Sequence, residues 1–179
     1  MKYTMSVLVE NKPGVLNRVV SLLRRRNFNI DSLTVGRTEN EALSRMTIII
    51  LGTEEEAIKV EKSLYKLSNV VRVEHLQDKP TVSIDLALIK VSLTRETISE
   101  VKQICEMCSA RIVDISPASA VIEITGEEGK IENFIDMIRP MGITEMVRTG
   151  VVAMSRGLHT VAPGDDYRVS STRNGRNAY

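Results

Sequence analysis

The chain has 179 residues, 42% of them hydrophobic and 26% charged, with a net charge of +1, 3% aromatics and no Trp. Such a balance belongs to a globular protein rather than a disordered one, and it is too neutral and too poor in stacking side chains for a dedicated nucleic-acid binder. The length allows one medium domain or two small ones, at roughly 100 to 200 residues per domain.

Residues 2–10 alternate, with Tyr3, Met5, Val7 and Val9 on one side and Thr4, Ser6 and Glu10 on the other, the period of a half-buried strand. From Pro13 the period changes. Val15, Leu16, Val19, Val20, Leu22 and Leu23 share one helical face, which "RNFN" ends. Ile30 to Val35 reads as a second strand, with a stumble at Asp31 and Ser32 that marks a displaced start or a bulge. Met46 to Leu51 is a third strand, apolar on both faces, so its outer face is expected to meet another surface. A second amphipathic helix follows, opened by Glu54 to Glu56, whose charges suit the positive end of its dipole. Val70, Val71, Val73 and Leu76 then form a fourth strand, which completes β-α-β-β-α-β, the split βαβ or ferredoxin-like order.

The order then repeats. Val82 to Leu93 is a strand, Arg95 to Cys108 a helix, Ile112 to Ile115 and Val121 to Thr125 a hairpin, Ile131 to Ile138 a helix and Ile143 to Val152 a last strand. Ile30 and Ile112 lie 82 positions apart but Gly52 and Gly126 only 74, so the first hairpin is eight residues longer, with the extra length placed near Arg37 to Leu43. The expected class is α+β: two tandem ferredoxin-like units at residues 1–77 and 82–157, joined by a linker at 78–81. Residues 158–179, with Pro163 and no period, are expected to form a mobile tail. "MKYTMSVLVE" has no cleavage pattern, and no apolar run approaches the ~18 residues of a membrane span. A cytoplasmic protein with no membrane contact is expected.

Few motifs carry chemistry. Cys105 and Cys108 have redox spacing, but they fall in the last turn of a helix, where the dipole does not lower a thiol pKa, so packing is the reading. Arg24 to Arg26 end the first helix, where cations meet the negative end of its dipole. No nucleophile with a nearby base and no phosphate loop emerges, so catalysis by this chain is not expected. The informative stretch is "VENKPGVLNRVV", residues 9–20. N-x-P-G alone is ordinary helix-start chemistry, with Pro read as the first helical residue. A helix entrance also binds a carboxylate through its unpaired N–H groups, and a glycine lets that anion approach. Asn11 offers an amide oxygen to an ammonium group, and Asn29 is a second candidate. Asn29 lies at the opposite end of the helix, where it does not easily reach Gly14 in the same subunit but could reach it across a dimer. The second repeat has "SLTRET", residues 92–97, in place of N-x-P-G and lacks the glycine.

"SVLVENKPGVLNRVVSLLRRRNFNIDSLTVG", "LSRMTI", "KLSNVVRVEHL", "ALIKV", "IVDISPASAVIEITG" and "RTGVVAMSRG" together resemble the regulatory (small) subunit of acetolactate synthase, whose first unit is an ACT domain. The resemblance covers residues 2–157. It implies a homodimer whose ACT domains join into one eight-stranded sheet, with valine bound at the interface. Asn11, Pro13, Gly14, Val15 and Leu16 would hold the head group, and Asn29 and Ile30 of the other subunit would complete the pocket, with Asp31 a lesser candidate. It also implies a catalytic (large) subunit as partner, carrying thiamine diphosphate, a divalent metal (Mg) and FAD, with no cofactor in this chain. The function implied is activation of that subunit and feedback inhibition by valine in branched-chain amino-acid biosynthesis, with the longer hairpin as a candidate route for the signal. A different class remains open: a free-standing ACT-type sensor acting on transcription or another enzyme.

Overall fold

A computed structural model describes residues 1–77 and 79–157; the predicted mobile tail lies outside the described residues. The first unit runs β1 (Lys2–Glu10), α1 (Val15–Arg25), β2 (Asn29–Arg37), β3 (Leu43–Leu51), α2 (Glu54–Leu64) and β4 (Val70–His75). Its sheet has the order β2-β3-β1-β4, so β2 and β4 are the edges. The second unit runs β5 (Thr81–Ser92), α3 (Ile98–Cys108), β6 (Arg111–Ile115), β7 (Ser119–Gly126), α4 (Glu128–Ile138), β8 (Ile143–Arg148) and β9 (Val152–Ser155). Its order is β6-β7-β5-β8, with β9 also paired to β5. Both halves are ferredoxin-like βαββαβ units, and none of the described helices is long and apolar enough to cross a membrane.

Alternation in β1 sends Met5, Val7 and Val9 to the helix side, where they meet Met46, Ile48 and Ile50 of β3 and Val15, Val19, Leu22 and Leu23 of α1. Fully burying such a side chain stabilises by about 1.5–3 kcal/mol each. α1 stops in a Schellman arrangement: Asn27 takes φ 57°, its N–H bonds Arg24 O, and Phe28 N–H bonds Leu23 O. α2 starts in a capping box, Thr53 with Glu56, and carries Glu54 to Glu56 in its first turn. The second core is built in the same way from Ile89, Ile122, Ile124, Ile131, Phe134 and Ile138.

Several boundaries differ from the sequence expectation. α1 begins at Val15, so Pro13 stands outside it and Gly14 is the cap residue. α3 begins at Ile98 because Thr94 and Thr97 first close a turn on each other's amides. α4 begins at Glu128, one turn before its first buried residue, Ile131. β2 does bulge at Asp31, between Ile30 and Ser32. The eight extra residues of the first hairpin lie mostly in longer paired strands, with a loop of residues 38–42.

The expected last strand, Ile143 to Val152, is in fact two. Both pieces run along the same side of β5, but Thr149 to Val151 interrupt them, with Gly150 at φ 79°. The break turns β9 and the start of β5 into a ribbon that lies over the helix-free face of the first sheet. Val151 and Ala153 pack there against Ile49 and Leu76, and Ala153 N–H bonds Thr47 Oγ1 at 3.3 Å. The apolar outer face of β3 therefore meets another surface, as its sequence required.

The candidate ligand site

β1 delivers the chain to Glu10, whose N–H bonds Asn69 O at 2.9 Å, and a turn then leads to α1. Asn11 is pinned by the β2–β3 hairpin: its N–H bonds Ala42 O at 2.8 Å and its Nδ2 donates to Glu41 O at 2.9 Å. Its Oδ1 has no hydrogen-bond partner among the described residues. Val15 N–H closes on Lys12 O at 3.3 Å, and the first α-helical bond is Arg18 N–H to Gly14 O at 3.0 Å. The amides of Leu16 and Asn17 are left without partners among the described residues.

Gly14 sits at φ 82°, a left-handed conformation that favours glycine, and no side chain caps the helix or places an acid in its first turn. A Cβ at Gly14 would meet nothing within 4 Å in this chain, so the backbone angle, not crowding, calls for glycine. Pro13 and Gly14 are exposed, Leu16 is 43% exposed, and Val15 is buried in the core. The result is an open, electropositive helix entrance beside a free amide oxygen and an exposed apolar side chain. Such a surface suits the carboxylate, ammonium and side chain of a small amino acid.

Asn29 and Ile30 are not part of this surface within one chain. Asn29 pairs with Leu51, and Leu51 with Lys2, whereas Asn11 follows Glu10 at the other end of β1. Eight residues of strand separate the two levels, roughly 26 Å at strand spacing. Asn29 is exposed, Ile30 is half-buried against the first core, and Asp31 turns its carboxylate to Lys2 at 3.1 Å. β2 is nevertheless a free edge, and its start and end lie at the Asn29 and Asn11 levels respectively.

The same place in the second unit is built differently. Thr97 Oγ1 accepts Thr94 N–H at 2.9 Å and Thr94 Oγ1 accepts Thr97 N–H at 3.2 Å, so the two side chains are turned onto the turn's own amides, and Glu100 places an acid in the first turn of α3, which disfavours a carboxylate ligand there. Sequence reasoning did not anticipate the hairpin carbonyls of Glu41 and Ala42 that orient Asn11. Their only signal was the polar loop "RTENEA" facing the helix entrance across the sheet end.

Cys105 and Cys108 are free; Cys105 is buried against the second core, and burial, more than the neighbouring Cys108 and Glu106 charges, pushes its thiol up to about 11. With so little thiolate at neutral pH, Cys105 is expected to stay unlabelled by iodoacetamide at pH 7.5 in the folded protein and to react on unfolding, read by intact-mass spectrometry. Arg24 and Arg25 occupy the last turn of α1 on an exposed face.

Comparison with known proteins accounts for both units. Residues 5–72 match the AHAS small subunit-like ACT domain, and residues 85–157 match the small subunit of acetolactate synthase. A probable acetolactate synthase small subunit of Archaeoglobus fulgidus is 49% identical over 88% of this chain and 98% of its own length. The acetolactate synthase small subunit of Mycobacterium bovis is 43% identical over 87% of this chain and 92% of its own. The crystal structure of the acetolactate synthase small subunit of Thermotoga maritima superposes with a TM-score of 0.82 at 41% identity, covering 88% of this chain and 98% of that one. Residues 5–157 thus form an ACT domain followed by the C-terminal unit characteristic of these subunits, and the chain belongs to the acetolactate synthase small-subunit family.

Proposed function

We propose that this chain is a non-catalytic regulatory subunit that dimerises through β2, binds a small branched amino acid, valine foremost, and both activates and feedback-inhibits the catalytic subunit of acetolactate synthase. One observation carries the ligand site: an uncapped helix entrance at Gly14 lies at one end of the free edge strand and Asn29 at the other. Antiparallel pairing of β2 with the same strand of a second copy superposes opposite ends, which brings Asn29 and Ile30 of one subunit to the Asn11–Leu16 turn of the other. A site shared in this way is occupied only in the dimer, and its occupancy biases how two subunits sit together.

The two-fold axis of such a pair stands normal to the sheet, so both C-terminal units fall on the same side of it. Each presents its helix-free face, where Val82, Ile84, Leu88, Val147, Val152 and Met154 are between 37% and 58% exposed. An apolar groove along that face includes Thr34 of β2 itself, so the bare face is continuous with the pairing edge. A contiguous apolar surface of this kind marks an interface, and the second copy is the surface that meets it.

Thiamine diphosphate, the divalent metal and FAD are assigned to the catalytic partner. Feedback inhibition then requires that valine bind the non-activating arrangement more tightly than the activating one, since equal affinity shifts nothing. The test is the activity of purified catalytic subunit with and without this chain across a valine titration. Activity is expected to rise severalfold on addition of the chain and to fall as valine is added. A catalytic subunit indifferent to the chain, with no co-purifying large partner, overturns the reading in favour of a free-standing sensor.

A further inference from the structure

The start of β2 serves two neighbours at once. Asn29 and Ile30 belong to the proposed ligand site, and the residues that follow touch the C-terminal unit. Asp31, at the bulge, holds Lys2 Nζ at 3.1 Å, and Lys2 reaches Glu128 Oε1 in the first turn of α4 at 2.5 Å. Thr34 Oγ1 donates to Thr149 O at 3.5 Å. Gly150 approaches so closely that a Cβ there would lie 2.6 Å from Ser32 Oγ and 3.0 Å from Thr34 Oγ1. A cleft of about 400 Å³ opens along this seam.

On the C-terminal side the contact is anchored. Thr149 Oγ1 donates to Asp85 Oδ1 at 3.0 Å and Arg148 Nε to Asp85 Oδ2 at 2.7 Å, with Asp85 only 2% exposed. On the ACT side it is adjustable, because a bulge is where a strand's bend and twist depart from the regular ladder. A ligand drawing Asn29 and Ile30 toward the partner's helix entrance pulls directly on the bulged residue and on Ser32. A side chain at position 150 would have no room, so the Thr149–Gly150 turn lies directly beside Ser32 and Thr34, and an advance of Ser32 bears on that turn. Packed interfaces answer such small shifts by changing arrangement rather than by stretching.

We propose that the seam of Lys2, Asp31, Ser32, Thr34 and Gly150 is the coupling element that converts amino-acid binding at the start of β2 into a change in how the C-terminal unit is held. This rests on the reading that an amino acid binds at Asn29 and Ile30. It offers a different route from the hairpin at 37–43, which lies at the far end of the ladder and touches Asn11.

The test uses the full chain reconstituted with catalytic subunit and carrying Lys2→Met or Gly150→Ala, with L-valine as the probe. Lys2 is surface-exposed, so Lys2→Met keeps the test valid if Gly150→Ala fails to fold. Calorimetric affinity of the isolated dimers for valine is expected to stay within about threefold of the unsubstituted protein, while maximal inhibition of the assembled enzyme falls by more than about half. Linkage adds a second readout: in the unsubstituted protein the catalytic subunit shifts valine affinity, typically by about 5- to 150-fold, and in the variants that shift shrinks toward none. Variants that bind and are inhibited like the unsubstituted protein overturn the seam alone. An unsubstituted dimer that gives no heat with valine overturns the ligand reading and the seam with it.

Discussion

Gly14→Asp is expected to leave activation of the catalytic subunit in place and to abolish its inhibition by valine. The residue sits at φ 82°, where Asp is better tolerated than most side chains, and its Cβ would meet nothing within 4 Å, so the cost to folding is about 1–2 kcal/mol. The effect on the ligand is far larger. The new carboxylate stands at the uncapped N–H groups that would receive the ligand's carboxylate, and it both occupies that position and repels the anion. Two like charges about 4 Å apart cost about 4 kcal/mol near a protein surface, which at about 1.4 kcal/mol per decade means valine affinity at least ~100-fold weaker. Gly14→Ala separates the causes, since it carries the backbone strain without the charge and is expected to keep most of the affinity. Asn29→His should weaken binding as well, although it lies roughly 26 Å of strand from Gly14 in its own chain. Isothermal calorimetry with valine decides: unchanged binding in Gly14→Asp and Asn29→His together removes the shared-site model.

The second large effect concerns the dimer itself. Val152 and Met154, 56% and 54% exposed, lie on the bare face of the ribbon formed by β9 and β5, whose other face is packed on the first sheet. If two copies meet there, Met154→Glu places one carboxylate from each subunit against apolar surface, and an uncompensated buried charge costs several kcal/mol per ion. The dimer dissociation constant is expected to rise by at least ~100-fold, with a monomer by sedimentation equilibrium at micromolar concentration. The monomer should keep its fold by circular dichroism, because neither ferredoxin-like core includes this side chain. Loss of valine binding must accompany loss of the dimer, because the site is assembled from two chains. A Met154→Glu protein that stays dimeric removes the bare face from the interface.

Much of the fold is legible in the sequence because each element carries its own period. The alternation of β1, the apolar face of α1 and the acidic start of α2 are local patterns, and local patterns decide local structure. The stumble at Asp31 marked a displaced start or a bulge, and the structure has the bulge: a strand with one face buried cannot slip by a residue without turning its side chains over. The N-x-P-G turn was equally local, down to the glycine, although the reason for that glycine proved to be its backbone angle and Pro13 proved to precede the helix.

What escaped the sequence is long-range. Ile143 to Val152 reads as one apolar strand, and only Gly150, isolated within it, hinted at a break. The break exists because Thr149 and Arg148 turn to Asp85, more than sixty residues earlier, and because Gly150 must fit against Ser32 and Thr34 of the other unit. Asn11 is aimed by carbonyls thirty residues downstream, and Lys2 joins two units through Asp31 and Glu128.

The sequence by itself determined the two βαββαβ units, the helix entrance at N-x-P-G and the placement of Asn29 at the far end of that helix, since hydrophobic period and helix-end chemistry are set by neighbours a few residues apart. Only the tertiary structure decided which strand edge and which sheet face are left uncovered and where one unit is tied to the other. Those depend on how two finished sheets exclude water from each other, a property of paired surfaces that no single stretch of the chain encodes.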